Sequence, residues 1–430
     1  MNTAEVRVTE TGGREASSRS IPPRLALAVG MPTAPAPEGW QWARLTDIAR
    51  LESGHTPSRR HPEWWGGSIP WISIQDARAN DGRRIDATEE TTNDLGIKHS
   101  SARVLPASTV CLSRTASVGY VVVMGRPMAT SQDFVSWVCS EQLDHNFLKY
   151  LLVAEGDDLL RFASGAVHQT IYFPEAKAFH ICHPPLPEQQ RIVGILDEAF
   201  DGIATAKANA ERNLQNARAL FESHLQSVFT QRGEGWVERK LGELSKINYG
   251  YTESACGEPV GPKFLRITDI QDNRVDWSTV PYCPIATSDI PKFQLTEGDI
   301  VFARTGATTG KSYLITDPPD AVFASYLIRV QLFGKDLLSP FLFLFFQTRS
   351  YWESVKSGSS GSAQGGFNAT KLGEMVIPYP KLAKEQQTII AKLNALSAET
   401  QRLETIYQRK LAALEALKKS LLHQAFSGRL

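Results

Sequence analysis

The stretch RTGATTGKS, residues 304–312, follows the apolar run Asp299-Ile300-Val301-Phe302-Ala303. A strand, a glycine-rich turn and a Lys-Ser pair are the ingredients of a nucleotide-binding phosphate loop. That loop needs G-x-x-x-x-G-K-[ST]: backbone N–H groups wrap the phosphates, the lysine reaches them and the hydroxyl holds Mg²⁺. Here only three residues separate Gly306 from Gly310-Lys311-Ser312, one too few for the curvature the loop requires. Tyr313-Leu314-Ile315 then continues like a strand, whereas half of a phosphate site is the N-terminus of a following helix. The stretch reads instead as a tight hairpin turn whose glycines supply positive φ. A P-loop-like NTPase using Gly306–Ser312 is the alternative.

Three further constellations invite a chemical reading and do not sustain it. His180-Ile181-Cys182-His183 lies on one short alternating segment, which cannot close a tetrahedral metal site alone. Asp317-Pro318-Pro319-Asp320 is similar to the Asp-Pro-Pro-aromatic motif of adenine methyltransferases, but an Asp cannot stack on a flipped base, so a turn is expected. Asp158 with Glu175-Ala176-Lys177 has the loose spacing of a nuclease metal site and no echo elsewhere in the chain. The reading therefore includes no catalytic residue, no metal and no cofactor.

Length and composition set the frame. A chain of 430 residues has room for two or three domains, and 42% hydrophobic with 21% charged residues fits a soluble globular protein. The five cysteines form no C-x-x-C pair, which argues against a disulfide framework or structural zinc and suits a reducing, cytoplasmic setting. Basic and acidic residues balance at 46 each, which as a global property counts against a nucleic-acid partner but leaves a local basic surface open. Residues 1–38, rich in Ala, Pro, Ser and Thr, read as a disordered tail. The apolar run Phe341–Phe346 is far too short to cross a bilayer and reads as a buried helix face, so no membrane association is expected.

The organising feature is an internal repeat. A shift of 197 residues places Glu188-Gln189-Gln190 on Glu385-Gln386-Gln387, Leu196 on Leu393 and Leu214 on Leu411, with no gap through Phe229 on Phe426. Upstream, Pro70–Asp76 echoes Lys263–Asp269 and Leu105–Thr115 echoes Leu295–Thr305. The repeat bears on the opening question. The counterpart of RTGATTGKS is RTASVGYVV from Arg114, which keeps Arg-Thr and a glycine and lacks both Lys and Ser. A function shared by both copies is not nucleotide binding; what they share is an Arg-Thr on a strand-turn-strand.

The matched segments are helical. Ile389, Leu393, Leu396, Leu403, Leu414, Leu417 and Leu421 recur at heptad spacings, with Thr400 and Lys410 interrupting. The first copy carries Ile192, Leu196, Ala199, Ile203, Ala206, Ala210, Ala217 and Leu220. One copy is alanine-rich and the other leucine-rich, so their seams are expected to pair within the chain. The globular units that precede them read as mixed α/β, with strands at 104–113, 120–124 and 134–138 in the first and 264–267, 299–303, 312–315 and 325–332 in the second. Each unit carries a polar, glycine-rich loop, Ser164–Thr170 and Ser357–Asn368. Trp64, Trp65 and Trp71 read as core.

These residues resemble a known family, the specificity subunits of type I restriction–modification systems. The resemblance rests on GHTPSRRHPEWWGGSIPWISIQD (54–76), GYTESACGEPVGPKFLRITDIQD (250–272), PPLPEQQRIVGIL (184–196) and YPKLAKEQQTIIAKL (379–393), and covers nearly everything from Gly39 onward. It implies a non-catalytic DNA reader with two α/β (α+β) target-recognition domains, each followed by a long helix, the helices pairing as an antiparallel coiled coil. The domains are then 39–187 and 233–384, and the helices 188–232 and 385–430. The implied partners are double-stranded DNA, two adenine-N6 methyltransferase subunits and motor-nuclease subunits. A coiled-coil adaptor without DNA is a further alternative.

Candidate DNA-binding residues are Arg114 and Thr115, their counterparts Arg304 and Thr305, and Lys311, Gln169 and Gln364. Arginine suits guanine O6/N7 or a phosphate fork, and amides suit adenine edges. Helix-spacer and partner-docking roles are expected for Glu188, Gln189, Gln190, Leu196 and Leu214, and for Glu385, Gln386, Gln387, Leu393 and Leu411.

Overall fold

The computed structural model describes residues 26–27, 35–165, 169–271, 273–359 and 367–430. Its contacts fall into two compact units. The first runs through Asn209 and includes Lys410–Leu430; the second is Ala210–Arg409. Each unit is a globular domain with parts of both long helices.

In the first unit a five-stranded sheet has the order Ala49–Ser53, Phe134–Cys139, Val110–Ser113, Val121–Met124, Arg83–Ile85. All neighbours are antiparallel except the last pair. In the second unit Ser245–Tyr249, Leu327–Leu332, Ile300–Ala303 and Ser312–Leu314 repeat the first four strands, all antiparallel. Each unit also closes on itself. Gln41–Arg44 pairs with His180–His183, and Trp236–Lys240 with Val376–Pro380, so the entering chain is zipped to the strand that leads into the long helix. The strand expected over 104–113 is shorter than its pattern; Leu105 makes only an isolated bridge to Met128. The tail expected through residue 38 does not hold at Ala26–Leu27. This pair adds in parallel to His180–Ile181, and Leu27 is fully buried in the first core.

The long helices are Leu186–Gln231 and Ala383–Phe426. They contact each other, and within each unit they run antiparallel. Both starts lie two residues ahead of expectation. At about 1.5 Å per residue each spans roughly 65–70 Å. Their ends are anchored in the domain cores. Ile192, Leu196, Leu422, Ala425 and Phe426 join Phe147 and Leu151 of the helix His145–Glu155. Leu225, Phe229 and Leu393 join Phe341 and Phe345 of the helix Ser339–Phe345. The run Phe341–Phe346 is thus mostly core, as its composition suggests. Among the described residues no helix is long and apolar enough to cross a membrane.

The seam departs from a strict heptad. Leu220 and Leu417, expected inside, are 52% and 47% exposed. From Ala217 and Leu414 onward the apolar line steps by four, through Phe221 to Leu225 and Phe229, and through Lys418 to Leu422 and Phe426. Steps of four exceed the 3.6 residues of a turn, so the buried stripe drifts around each helix, away from the heptad seam and onto the domain core. Thr400, expected to interrupt the seam, is buried in it, its hydroxyl donating to the Ser397 carbonyl at 2.9 Å. Lys410 is exposed, and the seam passes through Leu411 instead.

Candidate nucleic-acid interface

The two arginines occupy matching frames. Arg114 directly follows the strand Val110–Ser113, and Arg304 directly follows Ile300–Ala303. Arg114 N–H donates to the Asp133 carbonyl at 2.7 Å, and its own carbonyl accepts from Ile171 N–H at 2.9 Å. Arg304 N–H donates to the Tyr326 carbonyl at 3.2 Å, and its carbonyl accepts from Phe367 N–H at 3.0 Å. Two residues on, Ala116 and Gly306 both take a left-handed conformation, φ 62° and 74°. Gly119 N–H then bonds the Ser113 carbonyl, and Gly310 N–H the Ala303 carbonyl. The sequence repeat at Arg-Thr is therefore a repeat of backbone geometry.

The phosphate-loop alternative fails on this geometry. Residues 304–312 link antiparallel strands Ile300–Ala303 and Ser312–Leu314 around a short 3₁₀ turn, Gly306–Thr308. Ser312 opens a strand, so the turn does not lead into a helix N-terminus as a phosphate loop does. Gly310 is held where a Cβ would come 2.7 Å from the Trp352 ring, and its carbonyl accepts from the Tyr351 hydroxyl.

The side-chain surroundings differ between the two copies. Both arginine Nε atoms are buried without a hydrogen-bond partner. Arg114 Nη1 reaches the Ile171 carbonyl at 3.4 Å. Burial pulls the Arg114 pKa below its ordinary value, opposed by the nearby Asp133 and Tyr172. The Arg304 guanidinium lies over the Tyr249 ring, 5.1 Å from its centroid. Around it Tyr249 is 40%, Tyr326 60% and Trp352 42% exposed, and Lys311 at the turn is also exposed. The second hairpin tip thus carries arginine and lysine among accessible aromatic rings, a combination suited to nucleic acid. Thr115 and Thr305 flank the arginines half-buried, and Gln169 is exposed. Gln364 and part of each glycine-rich loop lie outside the described residues.

Tyr249, Tyr326 and Trp352 escaped the sequence reading because only the fold brings them to the turn. One signal was available: Asp133 and Tyr326 each immediately precede equivalent strands. Trp71 is core, but Trp64 and Trp65 are only half-buried, a correction to the expectation for this trio. Trp64 stacks between His61 and His99, with ring centroids 4.1 and 5.6 Å away. Arg59 lies 3.9 Å from the Trp65 centroid and pairs with Glu90.

The Glu-Gln-Gln repeat has a different role from docking at its central residue. Gln189 and Gln386 are both fully buried. Gln189 Oε1 accepts from Asp144 N–H at 2.9 Å, and its Nε2 donates to the Gln142 and Pro184 carbonyls, both at 2.9 Å. Gln386 Oε1 accepts from Leu338 N–H at 2.9 Å, and its Nε2 donates to the Asp336 and Pro380 carbonyls at 2.7 and 2.8 Å. Each glutamine thus ties the start of a long helix to the start of a domain helix, and neither has surface to offer a partner. Leu196 and Leu393 are likewise buried. Glu188, Glu385, Leu214 and Leu411 are half-buried; Gln190 and Gln387 are exposed.

Comparison with known proteins agrees with this architecture. Over 230 residues the chain is 27% identical to the type I restriction enzyme MjaIX specificity subunit of Methanocaldococcus jannaschii, covering 50% of this chain and 53% of that one. Over 199 residues it is 30% identical to the EcoR124I/EcoR124II specificity subunit of Escherichia coli, covering 44% and 48%. The matches thus span about half the length of these curated relatives. The HsdS subunit from Thermoanaerobacter tengcongensis shares the fold, with TM-score 0.61 and 18% identity over 92% of this chain and 99% of that one. A chain solved in work on assembly and conformational transition of the type I R-M system superposes with TM-score 0.74 and 19% identity, covering 92% and 100%. The model of the type I restriction modification DNA specificity domain matches residues 37–213 and again 233–413, most of the sequence. The chain belongs to that family and carries its domain twice.

Proposed function

We propose that this chain is the specificity subunit of a type I restriction–modification complex, a non-catalytic, cytoplasmic DNA reader. Its two target-recognition domains read the two halves of a split, asymmetric site. The paired helices set the separation of the halves, and the chain scaffolds two adenine methyltransferase subunits and the motor-nuclease subunits. The observation that carries this reading is the duplicated strand–Arg-Thr–turn frame, present once in each specificity domain. Two readers joined by stiff helices make half-site separation a geometric constant, which a flexible linker could not. The surroundings of Arg304 supply a local cationic-aromatic surface despite the neutral overall charge.

The test is to map N6-methyladenine in cells that co-express the chain with type I methyltransferase subunits. Methylation confined to one two-part sequence, and lost when the chain is omitted, is the expected result. Methylation that does not depend on the chain would refute the reading. The coiled-coil adaptor reading would instead give partner binding with no affinity for duplex DNA.

A further inference from the structure

Two equivalent arginines stand in the same backbone frame with different neighbours. At Arg114 the residue that accepts the arginine N–H is Asp133, whose carboxylate accepts from the Ser131 hydroxyl at 3.0 Å and acts on the guanidinium electrostatically. Arg114 Nη1 turns back to donate to the carbonyl of Ile171, the residue whose N–H already donates to the Arg114 carbonyl. The side chain therefore closes a local ring that ties the central strand to the segment leading into Phe173–Lys177. At Arg304 the residue in the position of Asp133 is Tyr326, so no carboxylate occupies that place. Among the described residues no hydrogen bond or ion pair satisfies the Arg304 guanidinium. Its neighbour is the flat face of Tyr249, held by Ala369 N–H donating to the Tyr249 hydroxyl at 3.1 Å.

A guanidinium held over a fixed ring with its Nη groups unused is preorganised to donate through them, rather than through the buried Nε, to an acceptor from outside. One that is compensated by a carboxylate and bonded to a loop carbonyl is not. We infer that the equivalent arginines have divided roles: Arg304 donates directly to DNA, at a guanine edge or a phosphate, while Arg114 is a latch within its own domain. This rests on the DNA-reading function proposed above and assigns the two domains unequal use of a shared position. In the first domain DNA contact then falls to side chains other than the hairpin arginine.

The test uses the full chain, a fluorescent random-sequence duplex titrated across a range of salt, and sequence selection from that pool. Arg304→Ala should weaken binding to the selected duplex roughly 5- to 150-fold with an unchanged melting temperature. If the acceptor is a base, selection relaxes at one position of one half-site. If it is a phosphate, the salt slope falls by about 1 and selection is unchanged. Arg304→Lys should restore the slope in the phosphate case and not the selection in the base case. Arg114→Ala should lower the melting temperature, and at temperatures where it remains folded it should keep wild-type slope and selection. The inference is overturned if Arg304→Ala binds like wild type, or if folded Arg114→Ala loses slope or selection as Arg304→Ala does. A wild-type chain that binds no duplex would sink the underlying function as well, so the two failures are distinct.

Discussion

Lys207 Nζ lies 2.7 Å from Glu415 Oε1, and the same register recurs eleven residues along one long helix and eleven back along the other, where Arg218 Nε lies 3.2 Å from Glu404 Oε2. The repeat that maps Lys207 onto Glu404 and Arg218 onto Glu415 thus exchanges basic for acidic at both places. Cations on the first helix and carboxylates on the second favour pairing of unlike copies and oppose pairing of like ones.

Lys207→Glu should lower stability by about 0.2–1 kcal/mol, the range for exposed pairs, and adding Glu415→Lys should recover most of it. A double-mutant cycle from urea denaturation measures this; additive losses would mean the pair has no coupling. Lys207 also holds the Glu415 carboxyl below its ordinary pKa through a side-chain hydrogen bond. A lowered folded value means that the contribution is present above the ordinary glutamate range and lost as pH falls through the folded value. The coupling should accordingly vanish in acid.

Gln189→Ala and Gln386→Ala should each be far more costly than any surface change. Each strands one backbone N–H and two carbonyls, at about 1–3 kcal/mol for a buried group left unpaired. Denaturant midpoints would show the loss. A midpoint shift below that of Lys207→Glu would contradict the assignment of these residues as internal ties.

Ala116→Gly should stabilise the first domain by up to about 1 kcal/mol, because a left-handed alanine costs about 1–2 kcal/mol and glycine returns part of that as chain entropy. Gly306→Ala should be destabilising at the matching position. Thermal melts of the two variants must move in opposite directions if the turns are equivalent.

Arg329 and Asp299 form a pair sealed in the second domain, Nη1 to Oδ2 3.5 Å, with side chains 4% and 2% exposed. Arg329 also donates to the Gln294 and Lys292 carbonyls at 2.6 and 3.1 Å. Arg329→Leu should cost about 3–5 kcal/mol by leaving a buried charge uncompensated. Burial already raises the Asp299 pKa. A raised folded value favours the protonated state at low pH and loses that advantage as pH rises through it, so the penalty should shrink in acid. A penalty independent of pH would argue against an unpaired carboxylate as its cause.

The long helices and the hairpin were legible because period and repeat are properties of the sequence itself. Leu196, Leu393 and the strand-turn-strand at Arg304 lie where the pattern puts them. Properties of contact were not legible. Gln189 and Gln386 stand in a conspicuous repeat, yet polarity pointed outward while the helix start required inward hydrogen bonds. Leu220 and Leu417 fit a heptad, but the helix leaves that period where it meets a domain. Trp64 and Trp65 are apolar enough for a core, and only the position of Arg59 and His61 shows them at a surface. Ala26–Leu27 lies in a stretch with tail-like composition and is recruited by a neighbouring strand, which no local pattern announces.

The most direct test of the central claim is to lengthen both helices together. Inserting four residues after Arg212 and four after Arg409 preserves the Lys207–Glu415 and Arg218–Glu404 registers on either side. Four residues add about 6 Å and slightly more than one turn, so the apolar seam is nearly restored. Methylation mapping should then return the same two half-sites with a spacer longer by about two base pairs, at roughly 3.4 Å each. An unchanged spacer, or altered half-site sequences, would contradict the proposal that the paired helices set the separation of the two half-sites.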